Sequence, residues 1–214
     1  ENLTQSRLAL PRSSACNFSA PDQLSHFGLQ FLLALFVMPL ELTSDYGFVL
    51  AAAGTIGVSQ LFIGGGVMSL RGKFFKSKEF LEKPAVKAMA EEHKKAFKTE
   101  MNDMGYPDMG CGRYAQQLDY AQWVEINNAQ RAHYNMVESS GPVLACLLGA
   151  GLLYPKACSG LGFTYAAARW IYAQGYKGPK GADGRVAGAI MGALASLALF
   201  GTAIFGGLSV ALMK

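Results

Sequence analysis

Residues 186–213 read VAGAIMGALASLALFGTAIFGGLSVALM, and none of them is charged. At about 1.5 Å per residue, roughly 20 helical residues cross the hydrocarbon core of a bilayer, so this run is long enough to span it. Toward the N-terminus, residues 157–176 form a second apolar run, interrupted only by Arg169. Residues 141–154 are too short to span alone, but they continue a helical pattern that begins near Trp123. Residues 46–70 carry no charge between Asp45 and Arg71 and again suffice for a span. Pro155 and the Gly178-Pro179 pair punctuate short joints, so the last three helices should be antiparallel neighbours. The expectation is an all-α, integral membrane four-helix bundle over residues 45–214. An N-terminal extension, 1–44, precedes it, and an enlarged loop, about 75–119, separates the first and second helices.

Composition agrees. Of 214 residues, 51% are hydrophobic and only 16% charged, where a soluble domain carries about a quarter. The net charge of +4 lies mainly in one loop, which argues against a nucleic-acid partner. That loop holds Arg71, Lys73, Lys76, Lys78, Lys83, Lys87, Lys94, Lys95 and Lys98, and the third link adds Lys177, Lys180 and Arg185. The link on the other side has only Lys156. The positive-inside rule turns the two basic links toward the cytoplasm, or toward an organelle's matrix or stroma, with both termini opposite. Cys16, Cys111, Cys146 and Cys158 form no CxxC pair, no metal-ligand spacing and no disulfide framework, so no metal is expected.

The N-terminal region reads differently. Residues 27–40 are largely apolar but short for a span, which fits an interfacial helix, a re-entrant piece or a signal-type segment. The first 20 residues hold Arg7, Arg12, several serines and Glu1 as the only acid, a composition similar to an organellar transit peptide. Asn2-Leu3-Thr4 and Asn17-Phe18-Ser19 are glycosylation sequons if this end is lumenal. In the enlarged loop, Val86, Met89, Ala96, Phe97 and Met101 recur at near-helical spacing among Lys and Glu. This predicts an amphipathic helix at the membrane surface, or else a docking element for another subunit.

Ionisable residues inside membrane helices are costly, which makes each a functional candidate. In the second helix Asn128, Arg131, Asn135 and Glu138 follow spacings of 3, 4 and 3. At about 100° per residue they share an arc of about 80°. In the third helix Tyr165, Arg169, Tyr172 and Tyr176, at spacings of 4, 3 and 4, also share a face. Two such stripes on neighbouring helices predict one pocket opening near the basic links. Arginine binds carboxylates bidentately, Asn both donates and accepts, and Glu holds an ammonium, so a small zwitterionic or polyanionic ligand fits. The competing reading is an internal Arg131–Glu138 or Arg169–Glu138 ion pair. In the fourth helix Gly184, Gly188, Gly192 and Ser196 lie at spacings of four, which predicts close packing within the bundle or between protomers.

These stripes also carry a resemblance. NNAQRAHYNMVE at 127–138 resembles the signature N-x-x-Q-R-A-H-x-N-x-x-E of the membrane-associated proteins in eicosanoid and glutathione metabolism, the MAPEG family. ARWIYAQGY at 168–176 resembles its R-x-x-Y-x-x-G-Y, and DYGFVL at 45–50 and LLYP at 152–155 match as well. The branch most similar is the microsomal glutathione transferase 3 type. The resemblance covers roughly 45–210 apart from one insertion. It implies a four-helix protomer that forms a homotrimer in the endoplasmic reticulum membrane, with glutathione bound between subunits as co-substrate. Arg131, Asn135 and Glu138 would hold its charged ends and amides, Tyr172 and Tyr176 would line the site, and Arg169 would support it. Arg71 resembles the basic end of the family's first helix and belongs to the same site. Arg185 would be the catalytic residue that activates the glutathione thiol. The implied reactions are conjugation of lipophilic electrophiles and reduction of lipid hydroperoxides.

The chain departs from the family in its glycine-rich link before Arg185, in Ser139 where an aromatic residue is usual, and in its long 75–119 segment. A second function is therefore carried forward: a non-catalytic accessory subunit of a larger respiratory or photosynthetic complex in a plastid or mitochondrial membrane. A transporter is disfavoured, since there is no internal repeat or broken helix pair.

Overall fold

The computed structural model describes residues 42–213; the apolar segment 27–40, the two sequons and Cys16 lie outside the described residues. Four long helices build the bundle: α1 (Tyr46–Phe75), α4 (Tyr120–Gly151), α5 (Pro155–Lys177) and α6 (Val186–Leu212). Two shorter helices, α2 (Lys78–Leu81) and α3 (Pro84–Phe97), and a 3-10 turn (Ala115–Gln117) fold the enlarged loop. A second 3-10 turn, Gly181–Arg185, joins α5 to α6. No strand occurs among the described residues.

α1 and the 181–212 stretch are each long and apolar enough to cross a membrane on their own. α4 and α5 are long but fall short by composition, because their polar stripes dilute the apolar surface. They enter the bundle with those stripes turned partly toward each other: Ser139 Oγ lies 2.6 Å from Tyr165 Oη, and Arg169 donates to Asn135 Oδ1. α5 is the central element, packed against α1, α4 and α6. Its start fits the sequence, since Pro155 at the first turn gives up an N–H that has no intrahelical partner anyway.

In lipid there is little hydrophobic gain in moving a side chain from a tail to a neighbouring helix, so close approach and internal hydrogen bonds hold the bundle. Ile56, Ile63, Met136, Leu147, Tyr165 and Leu199 are buried in its centre. Tyr46 Oη donates to the Leu148 carbonyl (3.1 Å), and Gln60 accepts from Ser140 Oγ (3.1 Å). Leu61, Phe62, Leu194, Leu197, Ile204 and Phe205 stay on the outside, as lipid-facing residues should.

The glycine stripe is spent inside the protomer. A Cβ at Gly188 would fall 2.6 Å from Tyr172 Cα, and one at Gly192 would touch Ala168 Cβ at 3.5 Å. A Cβ at Gly184 would run into the Gly175 backbone. Of the two packing partners the sequence left open for this stripe, the structure takes α5.

The enlarged loop includes the helix its spacing predicts, α3, and more than that helix alone. It has its own small core, where the rings of Phe75, Phe80 and Tyr114 meet pairwise at 5.0–5.3 Å, with Val86, Leu118 and Ile126 beside them. It is tied down at both ends. Arg71 of α1 donates from Nε to the Met104 carbonyl (2.9 Å) and from Nη2 to the Asp108 carbonyl (2.7 Å), while Asn127 of α4 donates to the Gly110 carbonyl (2.7 Å). Lys83 pairs with Asp119 at the foot of α4 (2.8 Å) and Lys76 with Asp103 (2.8 Å), so part of the loop's basic charge is neutralised internally.

Asp108 organises the turn. Its Oδ1 accepts from the N–H groups of Gly110 and Gly112 (both 2.8 Å) and its Oδ2 from Ala115 (2.7 Å). Burial pushes this carboxyl up, but the backbone donors outweigh burial and hold it below the usual carboxylate range. A carboxylate depressed in the folded state stabilises above its unfolded pKa and loses that contribution as pH falls through the folded value. Asp108→Ala should therefore destabilise the inserted segment by about 2 kcal/mol at neutral pH by orphaning its donors. In melts of both proteins, the gap should shrink as the pH drops below about 4.

Candidate functional site

The chemistry gathers where α5 ends and α6 begins. Arg169, on the buried face of α5, donates from Nη1 to Asn135 Oδ1 of α4. Its guanidinium sits over two rings of its own helix, 5.0 Å from the centre of Tyr165 and 5.6 Å from that of Tyr172. Its Nε is buried with no hydrogen-bond partner among the described residues. No carboxylate pairs with it there either. A buried cation with a spare donor and no counter-charge is an expensive arrangement that an anionic ligand relieves.

One turn further on, the Tyr176 ring lies tilted against Tyr172 (5.6 Å between rings), and Arg185 lies over Tyr176 at 5.3 Å. Local structure places Arg185 there. The chain leaves α5 through a tight turn in which Gly181 takes a left-handed φ of 52° and packs toward the Asn128 side chain. Arg185 then closes on the turn, donating from Nη1 to the Ala182 carbonyl (2.7 Å). The close crossing at Gly188 draws the first turn of α6 onto Tyr172. The Tyr172 hydroxyl is thereby within electrostatic reach of three guanidinium groups, those of Arg185, Arg169 and Arg131.

The structure brings together Asn135, Arg169, Tyr172, Tyr176 and Arg185. Arg131 and Glu138 flank this group on the exposed side of α4. Neither the Arg131–Glu138 pair nor the Arg169–Glu138 pair forms among the described residues, which corrects that reading. The reason is geometric: Asn135 captures Arg169, and Glu138 is exposed. Pro142, one turn on, has no N–H to offer the Glu138 carbonyl, so that oxygen is free of its usual helical donor.

Arg71 is placed elsewhere. It is buried, its hydrogen bonds go to the inserted loop, and its guanidinium lies 4.3 Å from the Tyr106 ring. With Gly64, Gln60, Gln130 and His133 it lines a cavity of about 400 Å³ between α1 and α4. Gln130, His133 and Tyr134 line this cavity, on a face of α4 about 130° around the helix from the Arg131 stripe.

Sequence reasoning had no expectation for Asp108 or Tyr114. The D-x-G-x-G pattern at 108–112 is the signal for the first, an aspartate followed by residues free to turn their N–H groups back onto it. Tyr114 offers no such signal.

A family model described as the MAPEG family matches residues 49–205. No solved structure matches the chain. The matched stretch runs from the first turns of α1 to the far end of α6, through both polar stripes and the inserted segment: the chain belongs to the MAPEG family.

Proposed function

We propose that this protein is a glutathione-dependent membrane transferase or peroxidase, with the thiol peptide bound at the α4/α5/α6 cluster and completed by a neighbouring protomer of a homotrimer. The observation that carries this reading is the buried Arg169 guanidinium, fixed by Asn135, flanked by Tyr165 and Tyr172, and lacking any carboxylate among the described residues. Glutathione brings two carboxylates and one ammonium. Arg131 and Arg169 suit the carboxylates, the outward Glu138 suits the ammonium, and Asn135 suits a peptide group. The exposure of Arg131 and Glu138 supports a site shared with a second copy, whose α1/α4 half-site would bring Arg71.

Arg185 is the residue for the chemistry. A guanidinium beside the sulfur favours thiolate over thiol and lowers its pKa. Tyr172 and Tyr176 line the approach, each able to donate an O–H to sulfur. In conjugation, the thiolate forms a C–S bond with an electrophilic carbon, and the displaced electron pair leaves with the departing group or is protonated. In peroxide reduction, two glutathiones are oxidised to the disulfide while the hydroperoxide becomes alcohol and water.

Calorimetry on the purified full chain tests this. Wild type should bind glutathione and show ultraviolet thiolate absorbance; Arg131→Ala should weaken binding about 10- to 100-fold. Arg185→Gln should keep binding but lose the thiolate band. If wild type does not bind glutathione, the transferase reading fails and the accessory-subunit reading takes its place.

A further inference from the structure

We propose that the inserted segment carries a separate ligand site, a cleft between α3 and residues 101–114 that takes a single long-chain fatty acid. The cleft has a volume of about 570 Å³ and is walled by Met89, Ala96, Phe97, Met101, Pro107 and Met109. Ligand cavities typically run from about 300 to 1,000 Å³ and are mostly apolar with a few placed polar groups. Methionines at three of these wall positions give a surface that adapts to a flexible chain. Phe97 is 69% exposed and Met109 52% exposed. The segment already has a well-packed core of its own around Phe75, Phe80 and Tyr114, so these outward apolar groups are not needed to fold it.

A second observation points to a ligand with an oxygen acceptor. Tyr114, also lining the cleft, is only 6% exposed, and its hydroxyl is buried with no hydrogen-bond partner among the described residues. Buried hydroxyls are nearly always paired, and an unmet one costs about 1–3 kcal/mol. Burial, with the Asp103 charge behind it, pushes this phenol up and keeps it a donor at physiological pH. The neighbouring residue, Arg113, lines the same cleft, and among the described residues its guanidinium is engaged only by an exposed pair with Glu92 at 2.9 Å. Such a pair is weak and exchangeable. A carboxylate that displaces Glu92 from Arg113 pairs that guanidinium, and a small shift of the cleft wall that uncovers the Tyr114 hydroxyl lets the same group accept from it, while the hydrocarbon tail covers the methionines and Phe97. The site stands independently of glutathione binding in the bundle.

The test uses the purified full chain in detergent and palmitate bearing a photoreactive diazirine near its methyl end, with labelled peptides mapped by mass spectrometry. Label should fall on the wall residues between 89 and 109, and excess oleate should suppress it. Ala96→Trp, a filling substitution at an exposed position, should reduce labelling at least about tenfold while leaving the thermal melt unchanged. Tyr114→Phe keeps the aromatic cluster, should melt no lower than wild type, and should weaken oleate competition about fivefold. Label confined to the lipid-facing sides of α1 and α6 and indifferent to Ala96→Trp would overturn the proposal. So would a diazirine phosphatidylcholine labelling the cleft as strongly as palmitate, or Tyr114→Phe leaving oleate affinity unchanged.

Discussion

Replacing Arg169 with methionine should weaken glutathione binding by about 30- to 150-fold without lowering the thermal stability of the protein. The two readouts separate function from structure. Arg169 is buried, donates to Asn135, and among the described residues has no carboxylate partner and no acceptor for its Nε. Were it present for stability alone, it would be a poor choice, since a buried unpaired cation costs more than an apolar side chain of similar length. Methionine fills much of the same space between Tyr165 and Tyr172 and removes the charge; it leaves Asn135, which is only half buried, to find water or a neighbour. The apo protein should therefore melt at the same temperature or higher. A charge-assisted hydrogen bond to a ligand carboxylate contributes about 2–3 kcal/mol, which is the stated loss in affinity. A fall in melting temperature with unchanged glutathione affinity would mean that Arg169 is a structural residue and that the ligand lies elsewhere.

Gly188→Leu should destabilise the bundle by about 3 kcal/mol and at the same time abolish thiolate formation. The new side chain would start from a Cβ 2.6 Å from the Cα of Tyr172, so no rotamer relieves the clash and α5 and α6 must separate. In doing so the first turn of α6 carries Arg185 away from Tyr176 and Tyr172. Gly201→Ala serves as the control on the same helix. Nothing lies within 4 Å of a Cβ there, and Gly201 is exposed, so alanine should gain about 0.5–1 kcal/mol from helix propensity alone. Thermal melts of the two variants with thiolate absorbance alongside would show opposite signs; equal effects would place the α5/α6 crossing elsewhere.

The bundle itself was legible because its signals are local. An uncharged run longer than a bilayer's apolar thickness has few alternatives, and the prolines and glycines at 155, 178 and 179 mark where the chain turns. The two polar stripes were equally readable, since helical geometry alone puts residues three and four apart on one face. What periodicity does not carry is the partner of each polar group. Arg169 chose Asn135 and not Glu138 because the choice depends on the rotation and depth of α5 against α4.

Arg71 shows the same limit more sharply. The resemblance assigned it to the ligand site, and nothing in the sequence signalled that its donors would also close the inserted loop onto α1 through the Met104 and Asp108 carbonyls, more than thirty residues away. The glycine stripe announced a close contact without naming its partner, and the α5/α6 crossing settled it inside the protomer.

The sequence by itself thus determined that the chain is an all-helical membrane bundle, where the helices run and which faces are polar, because these follow from length, charge and a 3.6-residue period. The tertiary structure alone decided that Arg169 is a buried cation without a carboxylate among the described residues, that Arg71 and Arg131 serve different sides of α4, and that the insertion folds around Asp108 and leaves the Tyr114 hydroxyl without a partner among those residues. Those facts depend on contacts between residues far apart in the chain, where a shift of one ångström or a small rotation changes which donor meets which acceptor.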